Sequence, residues 1–418
     1  MCGISGIILK RKNSLINLNS IKSMTRELSH RGPDSENYWN SDDNIYFLGH
    51  RRLSIIELSS KGNQPMKSRS NRFIITFNGE IYNHLEIRDK IKKKINYEWR
   101  SNSDTETLLS SFEIFGLEKT FELLEGMFAF ALIDQFSKKL YLSRDISGEK
   151  PLYYGFQGED FIFSSELKSI IKYPLFKKII DQNSLKYFLD YSFIPEPFSI
   201  FKNIKKLEKS SLLEFDLKTN KIIKNSKYNS SKNIEISKNE LSNNPIQLID
   251  KILTRSVRIS MTSDVEVGSF LSGGTDSSLI TSIMSKVSDK KVQTFSVSIK
   301  KNNYDEGNYS KSISDFLQTN HNQIIIEEND LIKQTKDLAV MYDEPFADSS
   351  QIPTSLISKF ASSKVKVILS GDGADEYFGG YNRYLGIKKI IKFFDILPFK
   401  VRWLIGKTLI RIPDYILN

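Results

Sequence analysis

The only cysteine of the chain, Cys2, stands one position after the initiator Met1. Cutting off Met1 would leave a thiol and a free α-amine on the same residue, so nucleophile and base come together. An α-amine with an ordinary pKa of about 7.7 to 8.0 accepts a proton near neutral pH and can serve the adjacent thiol. No histidine is required, which suits a chain with four. Two glycine-rich segments point to a second chemistry. Ser272 to Ser278 read SGGTDSS, after the apolar run VEVGSFL and before a helical pattern; residues 370–384 read SGDGADEYFGGYNRY, after VKVILS. A glycine-rich turn at the carboxyl end of a strand lets backbone N–H groups and a helix amino terminus face a phosphate. The first segment lacks the Lys of a Walker loop. The second carries Asp372, Asp375 and Glu376, which would repel phosphates unless a divalent cation intervened, so it implies magnesium.

The elements that must position these residues fall into two groups. Up to about residue 215 the chain shows short strand-like runs, ISGIIL, NIYFLGHRRLSII, RFIITF, GMFAFALID, KKLYLS, PLYYGF and DFIFSS, separated by polar turns. Helical spacing appears at 21–29, 82–94 and 104–115. Strands clustered without regular helix alternation predict an α+β domain over 1–215. Residues 216–244 are rich in Lys, Asn and Ser and read as a linker. Over 245–418 strand and helix patterns alternate, which predicts a parallel sheet flanked by helices, with ligands at the carboxyl ends of its strands.

Further polar motifs follow Cys2 in order: HRGPD at 30–34, HRRLSII at 50–56, FNGEIYN at 77–83 and SDTE at 103–106, then EGMFAFALID and SRDISGEKPLYY. This set resembles the glutaminase domain of the glutamine-hydrolysing asparagine synthetase family, and SGGTDSS resembles the pyrophosphate-binding loop of enzymes that cleave ATP between its α and β phosphates. The resemblance implies an amino-terminal-nucleophile domain, an αββα sandwich, followed by an α/β parallel-sheet nucleotide-binding domain. It implies that Cys2 attacks glutamine, that Arg52 pairs with the substrate carboxylate and Asp104 with its ammonium, and that Asn78 and Gly79 form the oxyanion hole. Leu53, Ser54, Ile55, Ile56 and Glu80 would line the same pocket. ATP would be held by Phe270, Leu271, Ser272, Gly273, Gly274, Asp276, Ser277, Ser278, Val297, Ser370 and Gly371. Asp372 and Asp375 would position the intermediate and pyrophosphate, with Asp276 and Asp375 on magnesium. Each residue also has a plainer reading: Asn78-Gly79 as a hairpin turn, Arg52 as a surface cation, Asp104 with Glu106 as helix caps, Asp276 as the cap of the next helix. Asp343, Glu344 and Asp348 in YDEPFADSS either reach the nucleotide crevice or form a solvated loop.

The family reaction would be amidation of aspartate by glutamine and ATP, giving asparagine, glutamate, AMP and diphosphate. Relatives of the same build amidate other carboxylates, including sugar acids, and a subunit that only binds or hydrolyses glutamine is a third reading. The net charge of +10 comes from Lys residues scattered along the whole chain, without a basic arm or a nucleic-acid motif, so no nucleic-acid partner is expected. No run nears the roughly 20 apolar residues that cross a bilayer, and a lone thiol fits a reducing compartment, so the expected location is cytoplasmic with no membrane partner. A homodimer is among the expected assemblies. The family continues past the SGDGADE loop, whereas this sequence ends at RIPDYILN after the apolar, basic stretch IKKIIKFFDILPFKVRWLIGKTLIRI. That predicts a shortened relative with an uncovered core face, weak in amide synthesis and prone to self-association.

Overall fold

The computed structural model describes residues 1–228, 244–299 and 307–409. Short alternating strands bury one side each, and two six-stranded antiparallel sheets do so face to face. One sheet runs Ile204–Lys206, Tyr153–Gln157, Asp160–Ser164, Gly3–Ile8, Tyr46–Arg52, Ser35–Asn40. The other runs Lys221–Lys227, Ser211–Asp216, Lys139–Arg144, Gly126–Asp134, Phe73–Ile81, Met66–Lys67.

Strand alternation decides which layer each side chain enters. Ile4 and Ile8 meet Ala129, Ala131, Ile133 and Phe161 between the sheets, whereas Ile7 turns outward to Ile21 and Met24 of the helix Leu18–Arg26. On the opposite outer face Phe73, Ile75 and Phe77 pack against Ile87, Leu108 and Phe112 of helices His84–Lys94 and Asp104–Leu123. The result is the helix–sheet–sheet–helix sandwich of an amino-terminal-nucleophile domain.

The start of the stretch read as a linker is a strand. Lys221–Lys227 pairs antiparallel with Ser211–Asp216 across a turn that Asp216 closes by accepting from the Lys218 and Thr219 N–H groups. Its side chains are mostly exposed and Lys-rich, as suits a sheet edge, so it lacks the apolar alternation that would have revealed it. Residues 229–243 of that stretch lie outside the described residues.

Beyond them the helix Pro245–Ser260 opens with Pro245 in its first turn and Asn244 accepting from the Gln247 N–H. A four-stranded parallel sheet follows, in the order Asn320–Ile326, Gln293–Ile299, Val267–Phe270, Val367–Leu369. Helices Pro245–Ser260 and Thr275–Val287 pack together through Val257 and Met284, and Gln351–Ser362 lays Ala361 and Phe360 on Phe295. The chain leaves Val267–Phe270 toward one side and returns on the other through Val367–Leu369. Direction therefore switches between those two strands, the place where open α/β sheets bind ligands.

In the last described helices, Asn382–Ile396 and Phe399–Leu409, Ile390 is 57% exposed, Phe399 74% and Trp403 55%. No helix among the described residues is long and apolar enough to cross a membrane.

Phe161 is fully buried between the sheets and stacks on Phe215 with ring centroids 4.4 Å apart. Phe161→Ala should lower the stability of the amino-terminal domain by about 3–5 kcal/mol, read as an earlier denaturant midpoint with Gly3–Ile8 amides losing exchange protection.

Candidate active sites

Cys2 precedes the strand Gly3–Ile8, which lies between Tyr46–Arg52 and Asp160–Ser164 and is buried throughout. The half-buried thiol points at the backbone of Leu53: its sulfur accepts from the Leu53 N–H at 3.4 Å and donates to the Leu53 carbonyl at 3.7 Å. Burial pushes the thiol pKa up, so at neutral pH the group is protonated and needs a base. The Met1 amine lies close enough to Cys2 to interact with its charge, and burial, with Arg31 and Lys150 nearby, brings it down to about 6. Met1 itself lines the cavity, its sulfur accepting from Arg31 at 3.6 Å and Lys150 at 3.5 Å. Its removal would widen the cavity there and leave a free α-amine on Cys2 itself.

Arg52 is not a surface cation. It is 5% exposed, and its guanidinium donates to the carbonyls of Ser59 (2.7 Å) and Glu57 and to the Asn63 side chain (3.1 Å). Gly62 permits this seat, since a Cβ there would lie 2.1 Å from the guanidinium. Asp104 is also buried. Ser103 caps the helix Asp104–Leu123 by accepting the Thr105 N–H, and Glu106 accepts from the Arg100 and Ser101 N–H groups of the preceding loop, so the cap is Ser103. Asp104 receives the Ile81 N–H at 3.0 Å and the Thr105 N–H at 2.8 Å, and burial pushes its pKa up. Among the described residues, then, a buried cation and a buried acid line one cavity, each bonded to neutral groups. Such a pair is complementary to a zwitterion.

Asn78 and Gly79 are no hairpin turn. They lie within Phe73–Ile81, opposite Ala129 and Phe128, and a Cβ at Gly79 would lie 2.2 Å from the Met127 carbonyl. Among the described residues, both polar side-chain atoms of Asn78 are buried without a partner, as is Glu80 Oε1. An unpartnered amide at a cavity wall is an available donor for a developing oxyanion. Ile55, Ile56 and Glu80 line the cavity, whereas Ser54 is buried beside it with its N–H on Asp34 at 2.7 Å.

The two phosphate-type loops lie together at the switch point. Gly371 approaches the first loop so closely that a Cβ would meet Asp276 and Ser277 at 2.9 Å, and Gly273 and Gly373 take φ of 91° and 88°. Gly274, not Asp276, caps the helix Thr275–Val287, leaving the Asp276 carboxylate in the first turn. The Ser272 and Ser277 hydroxyls bond each other at 3.0 Å, and the Ser278 hydroxyl is buried without a partner among the described residues. Phe270, Ser272, Gly274, Asp276, Ser277, Ser370, Gly371, Asp372 and Asp375 line a crevice of about 440 Å³. Leu271, Gly273, Ser278 and Val297, expected at the same site, are not among the residues that line it. No group of three or more His, Cys, Asp or Glu side chains among the described residues could hold a metal by itself. Asp276 and Asp375 on one crevice wall fit magnesium only as partners of phosphate oxygens, the usual habit of that ion.

The acidic loop behaves differently from both expectations. Asp343 pairs with Lys168, and Glu344 pairs with Lys206 at 2.6 Å and accepts the Ile200 N–H at 2.7 Å, so both carboxylates dock on the amino-terminal domain. Only Asp348 is solvated, closing a turn with Ser350. Carboxylates in a polar motif suggested solvent or cation; the lysines that receive them come from distant sequence.

Sequence reasoning gave no role to Arg31, Asp34 or Lys150, although they lie in the motifs HRGPD and SRDISGEKPLYY. Arg31 donates from Nε to the Cys2 carbonyl at 2.9 Å and from Nη1 to Glu166 at 2.7 Å. A cavity of about 760 Å³ joins the two halves: Cys2, Arg52, Asn78, Asp104 and Lys150 line one end, Lys366 to Ser370, Asp372 and Gly373 the other.

A cysteine-led αββα sandwich sharing a cavity with a phosphate-loop sheet defines an amidotransferase-type, two-domain protein. Residues 1–229 match the glutamine amidotransferase domain family, and residues 248–411 match the asparagine synthase family. A Methanocaldococcus jannaschii protein provisionally named glutamine-hydrolysing asparagine synthetase 2 is 37% identical, over 96% of this chain and 81% of its own length. Glutamine-hydrolysing asparagine synthetase 1 of Bacillus subtilis is 34% identical, over 92% of this chain and 59% of its own. A glutamine phosphoribosylpyrophosphate amidotransferase from B. subtilis, solved with ADP and GMP, superposes with a TM-score of 0.42 at 12% identity, covering 77% of this chain and 65% of that one. The chain belongs to the glutamine-hydrolysing asparagine synthetase family.

Burial first, and the charge of Asp104 second, raise the Glu80 carboxyl from 4.5 to about 8. The folded protein therefore holds a proton on Glu80 that the unfolded chain releases above its lower pKa. Stability from this group is full below pH 4.5 and is lost as pH rises toward about 8. Glu80→Gln should flatten that decline, checked by denaturant melts across the same pH range.

Proposed function

We propose that the chain hydrolyses glutamine at Cys2 and delivers the ammonia to a carboxylate adenylated at the parallel sheet, aspartate being the acceptor and asparagine the product. The observation that carries this reading is the single cavity walled at one end by Cys2 and at the other by the Ser370 to Gly373 loop. Ammonia released into bulk water would be protonated and lost as a nucleophile; a shared cavity gives it a short path to the acceptor.

In the first half-reaction Arg52 holds the α-carboxylate of glutamine and Asp104 its α-ammonium. With Met1 removed, the Cys2 amine takes the thiol proton as sulfur attacks the side-chain amide carbon. Asn78 Nδ2 and the backbone of Gly79 stabilise the oxyanion, ammonia leaves, and water releases glutamate. In the second, the aspartate side-chain carboxylate attacks the α-phosphorus of ATP, pyrophosphate departs, and ammonia displaces AMP from the acyl-adenylate. The Ser272 to Ser278 loop and the Ser370–Gly371 turn cradle the phosphates. Asp276 and Asp375 would hold magnesium together with phosphate oxygens, supplying charge neutralisation there. The overall reaction consumes ATP, aspartate, glutamine and water and gives AMP, diphosphate, asparagine and glutamate.

The purified chain, given aspartate, ATP, magnesium and glutamine, should form asparagine, AMP and glutamate; a sugar-acid amide in place of asparagine would reassign the acceptor, and glutamate without AMP would leave a glutaminase alone. Cys2→Ala should abolish glutamate release and keep ammonia-supported AMP formation, and Asp276→Asn should do the reverse. Glutamine hydrolysis surviving in Cys2→Ala would sink the assignment of the nucleophile. Asn78→Ala should cost about 10²–10³ in kcat for glutamine hydrolysis, with the melting temperature unchanged.

A further inference from the structure

We infer that the second domain completes the glutamine pocket: Asp264 and Lys366 hold the loop 53–59 in the shape that presents Arg52 and Leu53, and are positioning residues for glutamine hydrolysis. The inference rests on the reading of Cys2 and Arg52 as a glutamine site.

The loop is gripped at two points from the other side of the domain boundary. The Asp264 N–H donates to the Ile55 carbonyl at 3.0 Å, and its carboxylate accepts the Glu57 N–H at 2.7 Å. Lys366 donates to Asp34 at 2.7 Å through the same carboxylate oxygen that accepts the Ser54 N–H at 2.7 Å. Between these grips Glu57 has φ of 61°, a conformation that side chains other than glycine seldom adopt without being held. Its carbonyl accepts from the Arg52 guanidinium, and its carboxylate accepts the Asn102 N–H at 2.9 Å. Two hydrogen bonds thus lead from Asp264 through Glu57 to the cation expected to bind the substrate carboxylate. At the start of the loop Leu53 carries both backbone contacts to the Cys2 sulfur.

The grips have a common origin in the sheet. Asp264 lies just ahead of Val267–Phe270 and Lys366 just ahead of Val367–Leu369, the adjacent parallel strands whose carboxyl ends lead into the phosphate-type loops. Each strand therefore holds the glutamine loop near its amino end and a phosphate-type loop at its carboxyl end. Glutamine affinity becomes a property of both domains.

The test uses the full chain and three variants, Asp264→Ala, Asp264→Asn and Lys366→Met, with hydrogen exchange over residues 53–59 and steady-state glutamine hydrolysis. Asp264→Ala should speed exchange at the Glu57 amide about tenfold and raise KM for glutamine about fivefold, with kcat within about twofold. Lys366→Met should raise KM in the same sense and speed exchange at Ser54. Asp264→Asn keeps an oxygen acceptor and the backbone donor, so it should stay near the wild type in both readouts. Slow exchange in Gly3–Ile8 shows that each variant is folded. Unchanged exchange and KM in both Asp264→Ala and Lys366→Met would overturn the clamp, and an equal loss of kcat in all three would overturn the positioning role. If the wild type itself releases no glutamate, the reading of the site fails and the positioning role with it, while exchange still decides whether the clamp exists.

Discussion

A nucleophile at the end of a chain is useful only where the end does not fray, and chain ends ordinarily do. Gly3–Ile8 meets this constraint as an inner strand, hydrogen-bonded on both sides and buried at every position. Fixing the strand fixes Cys2, and fixing Cys2 sets where everything else must stand. The end of Tyr46–Arg52 brings Arg52 and Leu53 alongside, and Phe73–Ile81 of the facing sheet brings Asn78 to Glu80. Arg31 locks the Cys2 carbonyl from a third direction.

Burial then shapes the chemistry. The thiol is pushed toward its protonated form, the neighbouring amine toward its free-base form, and the two opposite shifts have one cause, the cost of charge away from water. Among the described residues Arg52 and Asp104 share no direct bond and are steadied by carbonyl and amide groups instead. A ligand with one charge of each sign would relieve both. Such residues lower stability in the empty protein, as functional sites commonly do.

The two domains meet through charged groups: Arg255 with Glu125, Lys366 with Asp34, Lys168 with Asp343, Lys206 with Glu344. Pairs of this kind specify register more than they add affinity. Register is what a shared cavity requires, since a displaced sheet would separate the Ser370 turn from Cys2. Three of these pairs lie around the loop 53–59 and the acidic loop, so the orientation of the domains and the shape of the amino-terminal cavity are linked.

Much of this was legible in the sequence because it is local. Cys2 at position 2, SGGTDSS between a strand and a helix, and the alternation after residue 245 each carry their meaning within a dozen residues, and the elements they imply are present. The edge strand Lys221–Lys227 escaped because an exposed strand needs no apolar alternation. The acidic loop was misread because a carboxylate's partner is set by what lies across space. The sequence by itself determined the place of the lone cysteine, the two-domain order and the glycine-rich turns after the parallel strands, all of which follow from backbone propensity and short spacing. Only the tertiary structure decided that Asn78 lies in a strand with its amide unpartnered among the described residues, that Ser103 caps while Asp104 lines the cavity, and that Asp264 and Lys366 reach the loop 53–59 or the Asp34 that holds it. Those facts depend on contacts across up to 332 positions of chain, which hydrophobic burial brings together and no local pattern records.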